Sequence, residues 1–257
     1  MFKRKIVIIT GAGQGIGKKI AENISNDYDL LLISKSNNCS KLANYLKKKN
    51  KKLGRKINNL KIDLEKKYHL QFLKKKINTK NYSAIHLILC AAIVDPRVKS
   101  YLYLKDWMKV FKVNFFSNIN IINFFINFYR KSAVQNKIIL FSGGGAANSF
   151  KEFPIYSASK TALVRTVENY AEIYSGSNIN IFAVAPGAIK TRMLQKVTKI
   201  ARVKTRSKIS KVVSFVNFCL KSNTRPFSGK LIHIKDDLNK IYKNKIFVLV
   251  CEQKRVF

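Results

Sequence analysis

A doubly wound α/β fold is what this 257-residue sequence predicts: a parallel sheet of seven strands with helices on both faces. Three observations point to it. Apolar runs of strand length alternate with amphipathic stretches of helix length. The apolar runs are nearly continuous rather than alternating, as strands covered on both faces require. The first run ends in glycines that open directly into a helical stretch.

The elements follow in order. Ile6–Thr10 is a buried strand, and Gly17–Ser25 a helix with Ile20, Ala21 and Ile24 on one face. Asp29–Ser34 is the second strand. Ser40–Asn50 is a helix that turns Leu42, Ala43 and Leu46 inward and its lysines outward. Leu60–Leu64 reads as a third strand carrying Asp63, followed by a Lys-rich helix over 65–77, and Ala84–Val94 as a long fourth strand. Asp106–Arg130 is the longest helical stretch, apolar nearly all round. Asn114, Asn118, Asn120, Asn123 and Asn127 argue against a membrane span, since buried amides are costly in lipid. A helix buried on one face and used in subunit contact on another is expected instead. Lys137–Ser142, Asn180–Ala185 and Lys230–Lys235 supply strands five to seven, and Tyr156–Tyr174 and Lys211–Lys221 the intervening helices. In the tail, Ile246–Val250 is an apolar run with no assigned place. With no internal repeat or long linker, residues 1–257 read as a single domain.

Composition narrows the class further. The net charge is +37, yet only 10 of the 50 basic residues are Arg. The lysines are spread along the chain, with a local cluster at Lys47–Lys56, and do not interleave with aromatics as a base-stacking surface would. A specific nucleic-acid partner is therefore not expected, although polyanions in low salt should adhere. The four Cys lie far apart and the three His are scattered, so neither a disulfide frame nor a metal site is expected. The N-terminal apolar run is too short for a secretory signal, which makes a cytoplasmic location the expectation.

Several positions carry chemistry. Tyr156 and Lys160 stand one helical turn apart on the same face. A cation there favours the phenolate and should draw the phenol pKa down from about 10, making Tyr156 a proton donor and acceptor. The run Thr10-Gly11-Ala12-Gly13-Gln14-Gly15-Ile16-Gly17 closes the first strand and opens the first helix. Glycines let the backbone approach a phosphate there, and the helix N-terminus offers unpaired N–H groups.

This Thr-Gly-x-x-x-Gly-x-Gly spacing, with Tyr156-x-x-x-Lys160, resembles the short-chain dehydrogenase/reductase family, and the resemblance runs through nearly the whole chain. It implies a Rossmann-type fold and a catalytic set of Asn114, Ser142, Tyr156 and Lys160. Many members place the serine 13 residues before the tyrosine, which here is Gly143; Ser142 lies 14 before. The run Ser142-Gly-Gly-Gly resembles a subgroup whose serine begins such a segment, so Ser142 takes the assignment. Asn114 is implied to hold a water linking Lys160 to solvent. The cofactor-binding positions implied are Thr10, Gly11, Gln14, Gly15, Ile16, Gly17, Ser34, Lys35, Asp63, Leu64, Ala91, Ala92, Tyr156, Lys160, Pro186, Gly187, Ile189 and Thr191. Asp63 would bond the adenine amino group, and the loop from Pro186 to Thr191 the nicotinamide carboxamide. Ala92 stands where the family usually has Gly.

The implied function is hydride transfer between a nicotinamide cofactor and a carbonyl/secondary-alcohol pair. An NAD site needs a carboxylate at the end of the second strand for the ribose 2′-OH, whereas an NADP site uses cations for the 2′-phosphate. That strand ends Ser34-Lys35, so NADP(H) is favoured and NAD(H) is the alternative. A basic segment over Met193–Lys211 would cover the site and suit an anionic substrate, or simply be a solvated face. Helices 106–130 and 156–174 resemble the family's dimer-forming pair, which implies a homodimer or homotetramer. Two other readings stay open: an epimerase or isomerase working through a keto intermediate, and a cofactor-binding protein without catalysis that associates with polyanions.

Overall fold

The computed structural model describes residues 4–66, 69–94, 103–203 and 206–242. Seven parallel strands form one sheet in the order β3-β2-β1-β4-β5-β6-β7. They are β1 (Arg4–Thr10), β2 (Asp29–Ser34), β3 (Ile57–Lys61), β4 (Tyr82–Leu89), β5 (Asn136–Phe141), β6 (Ile179–Ala185) and β7 (Leu231–His233). The helices are α1 (Gly15–Ile24), α2 (Asn38–Lys49), α3 (His69–Lys76), α4 (Leu104–Phe111), α5 (Ser117–Arg130), α6 (Pro154–Ile173), α7 (Arg192–Val197), α8 (Ile209–Lys221) and α9 (Leu238–Tyr242).

Strand periodicity divides the core in two. Val7 and Ile9 of β1 face α1, α2 and α8, whereas Ile6 and Ile8 face α5 and α6. From Ile6 to Thr10 both faces of β1 are buried, which explains its unbroken apolar run. Each such side chain contributes roughly 1.5–3 kcal/mol through removal from water. Helix α1 buries Gly17, Ile20, Ala21 and Ile24, a spacing that keeps one stripe on the sheet.

The structure moves several boundaries. Strand β3 begins three residues before the expected Leu60, because Asn58 and Asn59 enter the sheet as partners of Leu31 and Leu32. Asp63 therefore lies past the strand rather than within it. Strand β4 ends at Leu89, so residues 90–94 leave the sheet and are free to line a site. The long helix is broken: a π-helical turn, Lys112–Phe116, separates α4 from α5. Such turns insert an extra residue and release carbonyls from the regular ladder. The apolar run Ile246–Val250 lies outside the described residues. No helix among the described residues is long and apolar enough to cross a membrane.

Candidate active site

The strand order reverses between β1 and β4, and a crevice opens there beyond the carboxyl ends of the strands. The turn after β1 forms one wall. A Cβ added at Gly17 would lie 2.7 Å from the Gly11 carbonyl oxygen, so only glycine lets α1 start this close to the turn. Gly15 has φ +56°, the left-handed region that favours glycine, and its Cβ would meet Thr191 at 3.2 Å. Gln14 precedes α1 without a side-chain cap, and the first turn carries no acid. The leading N–H groups are thus left for an anion. Thr10 braces the turn from behind, its hydroxyl accepting a 3.2 Å hydrogen bond from the Ala91 N–H at the end of β4.

The cleft encloses about 1290 Å³, more than an ordinary small-ligand pocket of ~300–1,000 Å³. Gly11, Gln14, Gly15, Ile16, Gly17, Ser34, Lys35, Asp63, Leu64, Ala91, Ala92 and Thr191 line it together. Thr10, Pro186 and Ile189 instead stand behind it, buried; Ile189 packs in the core beside α1 and α8. Gly187, with φ +68°, turns the loop after β6 without lining the cleft. The Thr191 hydroxyl caps α7, accepting from the Leu194 N–H at 3.2 Å.

Sequence reasoning missed the cationic rim of this cleft. Lys18, Lys41, Lys109, Lys190 and Arg192 line it as well. In so lysine-rich a chain no spacing distinguishes a rim lysine from a solvated one. For Lys41 a signal existed: with Tyr45 and Lys49, which also line the cleft, it forms a stripe at i, i+4 and i+8 on α2.

The Tyr156–Lys160 pair spans the first two turns of α6, beside the end of β5. Lys160 is buried and its Nζ donates to the Phe141 carbonyl at 2.7 Å. It lies over the Tyr156 ring, 5.7 Å from the centroid. Burial pushes the Lys160 ammonium down to about 8 and the Tyr156 phenol up to about 12. The expected depression of the phenol is therefore reversed in this structure. Desolvation acts on both groups, and the lysine directs its proton to a backbone carbonyl rather than to the phenolic oxygen.

Asn114 occupies the π-helical turn with no exposure. Its Oδ1 accepts from the Ile93 N–H at 2.8 Å, and its Nδ2 donates to the Ile93 carbonyl and to Ser159 Oγ, both at 3.0 Å. The carboxamide thus clamps the segment after β4 to α6. Its own carbonyl accepts from Asn118 Nδ2 at 2.7 Å. Both Nδ2 hydrogens of Asn114 are engaged, so a water held by this residue would have to donate to one of its oxygens.

Ser142 continues β5, its N–H bonded to the Val184 carbonyl at 2.9 Å, and its Oγ is buried without a hydrogen-bond partner. A buried hydroxyl left unpaired is costly and marks a place where a ligand atom can bind. The residue beside the Tyr156 hydroxyl is the next one: a Cβ on Gly143 would lie 3.3 Å from that oxygen. An open helix N-terminus, a turn that admits no Cβ at Gly17 and a cleft of this volume fit a bound dinucleotide, and the orphan Ser142 hydroxyl offers a bond to a small reactant.

A family profile described as short chain dehydrogenase matches residues 5–201, well over half the chain. The chain belongs to the short chain dehydrogenase family. It is accordingly a nicotinamide-dependent oxidoreductase of the alcohol/carbonyl couple. Among its relatives is the 3-oxoacyl-[acyl-carrier-protein] reductase of Buchnera aphidicola subsp. Baizongia pistaciae (strain Bp), 28% identical over 90% of this chain and 96% of that one. The L-rhamnose 1-dehydrogenase (NADP(+)) of Thermoplasma acidophilum is 29% identical over 74% of each chain. An oxidoreductase of E. coli solved at 0.95 Å shares the fold, with a TM-score of 0.78 at 16% identity over 91% of this chain and 96% of that one. The shared fold thus covers more of the chain than the profile match does.

Proposed function

We propose that this short chain dehydrogenase is an NADP(H)-dependent reductase of a carbonyl compound, with Tyr156 as the proton donor. The observation that carries the reading is the Tyr156 phenol, held protonated beside Gly143 with the Lys160 ammonium buried under its ring. A bound reduced nicotinamide supplies the hydride to the carbonyl carbon. Tyr156 gives its proton to the carbonyl oxygen, and the resulting phenolate is stabilised by the Lys160 cation. Ser142, with an unpaired hydroxyl, donates to the same oxygen as charge builds on it. Asn114 positions rather than reacts, holding Ile93 and Ser159 in register with α6.

The remaining assignments follow the same geometry. The first turn of α1 and Gly11–Gly17 hold the pyrophosphate. Ser34 and Lys35 receive the 2′-phosphate, since no carboxylate stands at the end of β2. The rim of Lys109, Lys190 and Arg192 suits a substrate with an anionic handle, and a 3-oxoacyl group on an acyl carrier protein, named for the Buchnera relative, is one carbonyl compound to test. The Ser142-Gly143-Gly144-Gly145 run supports placement in the subgroup with that segment. Exposed Leu104, Met108 and Phe116 on the 104–130 helical stretch, and Ile173 at the end of α6, support self-association through these helices, which sedimentation would detect.

The deciding experiment pairs binding with turnover. Tyr156→Phe should abolish NADPH oxidation with ketone substrates while calorimetric NADPH affinity stays within about twofold. Retained turnover in that variant overturns the assignment.

A further inference from the structure

The end of the cleft assigned to the adenosine 2′-phosphate contains an ion pair. Strands β2 and β3 are neighbours with Ser34 opposite Lys61, and the Ile62 N–H bonds the Ser34 carbonyl at 2.9 Å. This register brings Lys35 and Asp63 side by side just beyond the sheet, and Lys35 Nζ lies 2.8 Å from Asp63 Oδ2. The two partners are held unequally. Asp63 Oδ1 accepts from the Glu65 N–H at 3.1 Å, and its side chain is 23% exposed; the Lys35 side chain is 74% exposed. The carboxylate is a fixed point, and the lysine is a long arm resting on it. Burial works against ionisation of Asp63, but the bonds from Lys35 and Glu65 outweigh it and hold the carboxyl below its ordinary value.

We propose that Asp63 competes with the cofactor's 2′-phosphate for Lys35, so that this exchangeable ion pair sets the preference between NADP(H) and NAD(H). The inference rests on the proposed role of Lys35 and adds a residue that opposes it. With NADH bound, Lys35 stays on Asp63. With NADPH bound, the arm swings to the phosphate and leaves the carboxylate to the adenine amino group. An exposed ion pair shifts an equilibrium only a few-fold, so it yields readily to a phosphate dianion. Discrimination is consequently moderate, and it weakens as salt screens the phosphate.

Fluorescence or calorimetric titration of NADPH and NADH tests this on the full chain, with Lys35→Met, Asp63→Asn and the double variant. Asparagine keeps one oxygen to accept from the Glu65 N–H and the adenine amino group, and replaces the charged oxygen that faces Lys35 with a neutral NH2 donor. Asp63→Asn should tighten NADPH about 3–10-fold and leave NADH within twofold. Lys35→Met should weaken NADPH about tenfold. In the Lys35→Met background, Asp63→Asn should change NADPH affinity less than twofold. A gain that persists in that background means direct repulsion rather than competition and overturns the proposal. Equal weakening of both cofactors by Asp63→Asn, or no effect, overturns it too. Lys35→Met without effect on NADPH removes the reading of Lys35 as the phosphate cation along with the proposal, so the two failures are distinguishable.

Discussion

Gly143 faces the Tyr156 hydroxyl so closely that a methyl group on its α-carbon would lie 3.3 Å from the oxygen. Its backbone is extended, with φ −173°, so any residue could adopt that conformation. Any constraint on the residue there comes from the neighbour, not from the dihedral. Gly143→Ala should displace the hydroxyl by a few tenths of an ångström and lower kcat about tenfold or more, with NADPH affinity unchanged. Steady-state kinetics beside calorimetry would check this; an unaltered kcat would show that the hydroxyl has room to move.

Ser142 makes the complementary prediction. Its Oγ is buried and unpaired, so Ser142→Ala removes a group that costs stability in the free protein. Thermal unfolding of the variant should show an unchanged or slightly raised Tm. If the hydroxyl stabilises the developing oxyanion, kcat should fall ~10²-fold in the same protein. Stability and activity should therefore move in opposite directions, which a packing role alone would not produce.

Asn114 behaves differently because its carboxamide makes three hydrogen bonds with no exposure to water. Asn114→Ala strands the Ile93 N–H and carbonyl near the cleft. We expect a loss of about 2–5 kcal/mol by urea unfolding, together with loss of activity. Asn114→Asp should be no better, since it places a second acceptor against the Ile93 carbonyl.

His86, buried in β4, should make the fold sensitive to acid. Its Nδ1 accepts from the Lys137 N–H at 3.2 Å, and burial, then Lys137 and Lys5, push it from 6.5 down to about 3. Between those values the unfolded chain binds the proton and the folded one does not, so stability falls as pH drops through that window. The full gap is worth at most ~5 kcal/mol. Urea midpoints from pH 7 to pH 4 should decline, and His86→Gln should flatten the decline.

Lys137 gives the opposite edge of the pH profile. Its Nζ donates to the carbonyls of Leu220 at 2.8 Å and Ser222 at 2.5 Å, closing the C-terminus of α8, and burial lowers it to about 8. Lys160 is lowered to about 8 as well. Above pH 8 the unfolded chain retains these protons longer than the folded one, so stability from the two lysines rises with pH. From about pH 9 the rise is opposed, because burial raises the thiols of Cys90 and Cys219 well above the ordinary thiol value and their unfolded forms ionise first. Unfolding midpoints should climb between pH 8 and 9, and Lys137→Met should climb less. The same variant should lose about 1–3 kcal/mol at pH 7, where the two carbonyls go unpaired.

Sequence and structure agree most closely where periodicity reports burial. The unbroken apolar run of β1 and the Ile20–Ile24 stripe of α1 are legible because a buried face admits few polar residues. Strand β3 starts three residues before its sequence pattern suggests, because Asn58 and Asn59 are poor strand formers whose propensity is overridden by tertiary pairing with β2. The π-helical turn at Lys112–Phe116 was illegible, since one extra residue per turn leaves the apolar pattern of 106–130 nearly unchanged.

The sequence by itself determined the doubly wound sheet and the glycine turn after β1, and its local spacing singled out Tyr156 and Lys160 as a pair on one helix face. Asn114 and Ser142 were singled out only through the family resemblance. Tertiary structure alone decided that Gly143 borders the Tyr156 hydroxyl, that Lys160 bonds the Phe141 carbonyl, and that Lys35 rests on Asp63. Those contacts join separate elements, and the register of the sheet and the seating of α6 determine their distances. Burial set the direction in which Tyr156 and Lys160 titrate, and burial belongs to the packed molecule rather than to any stretch of its chain.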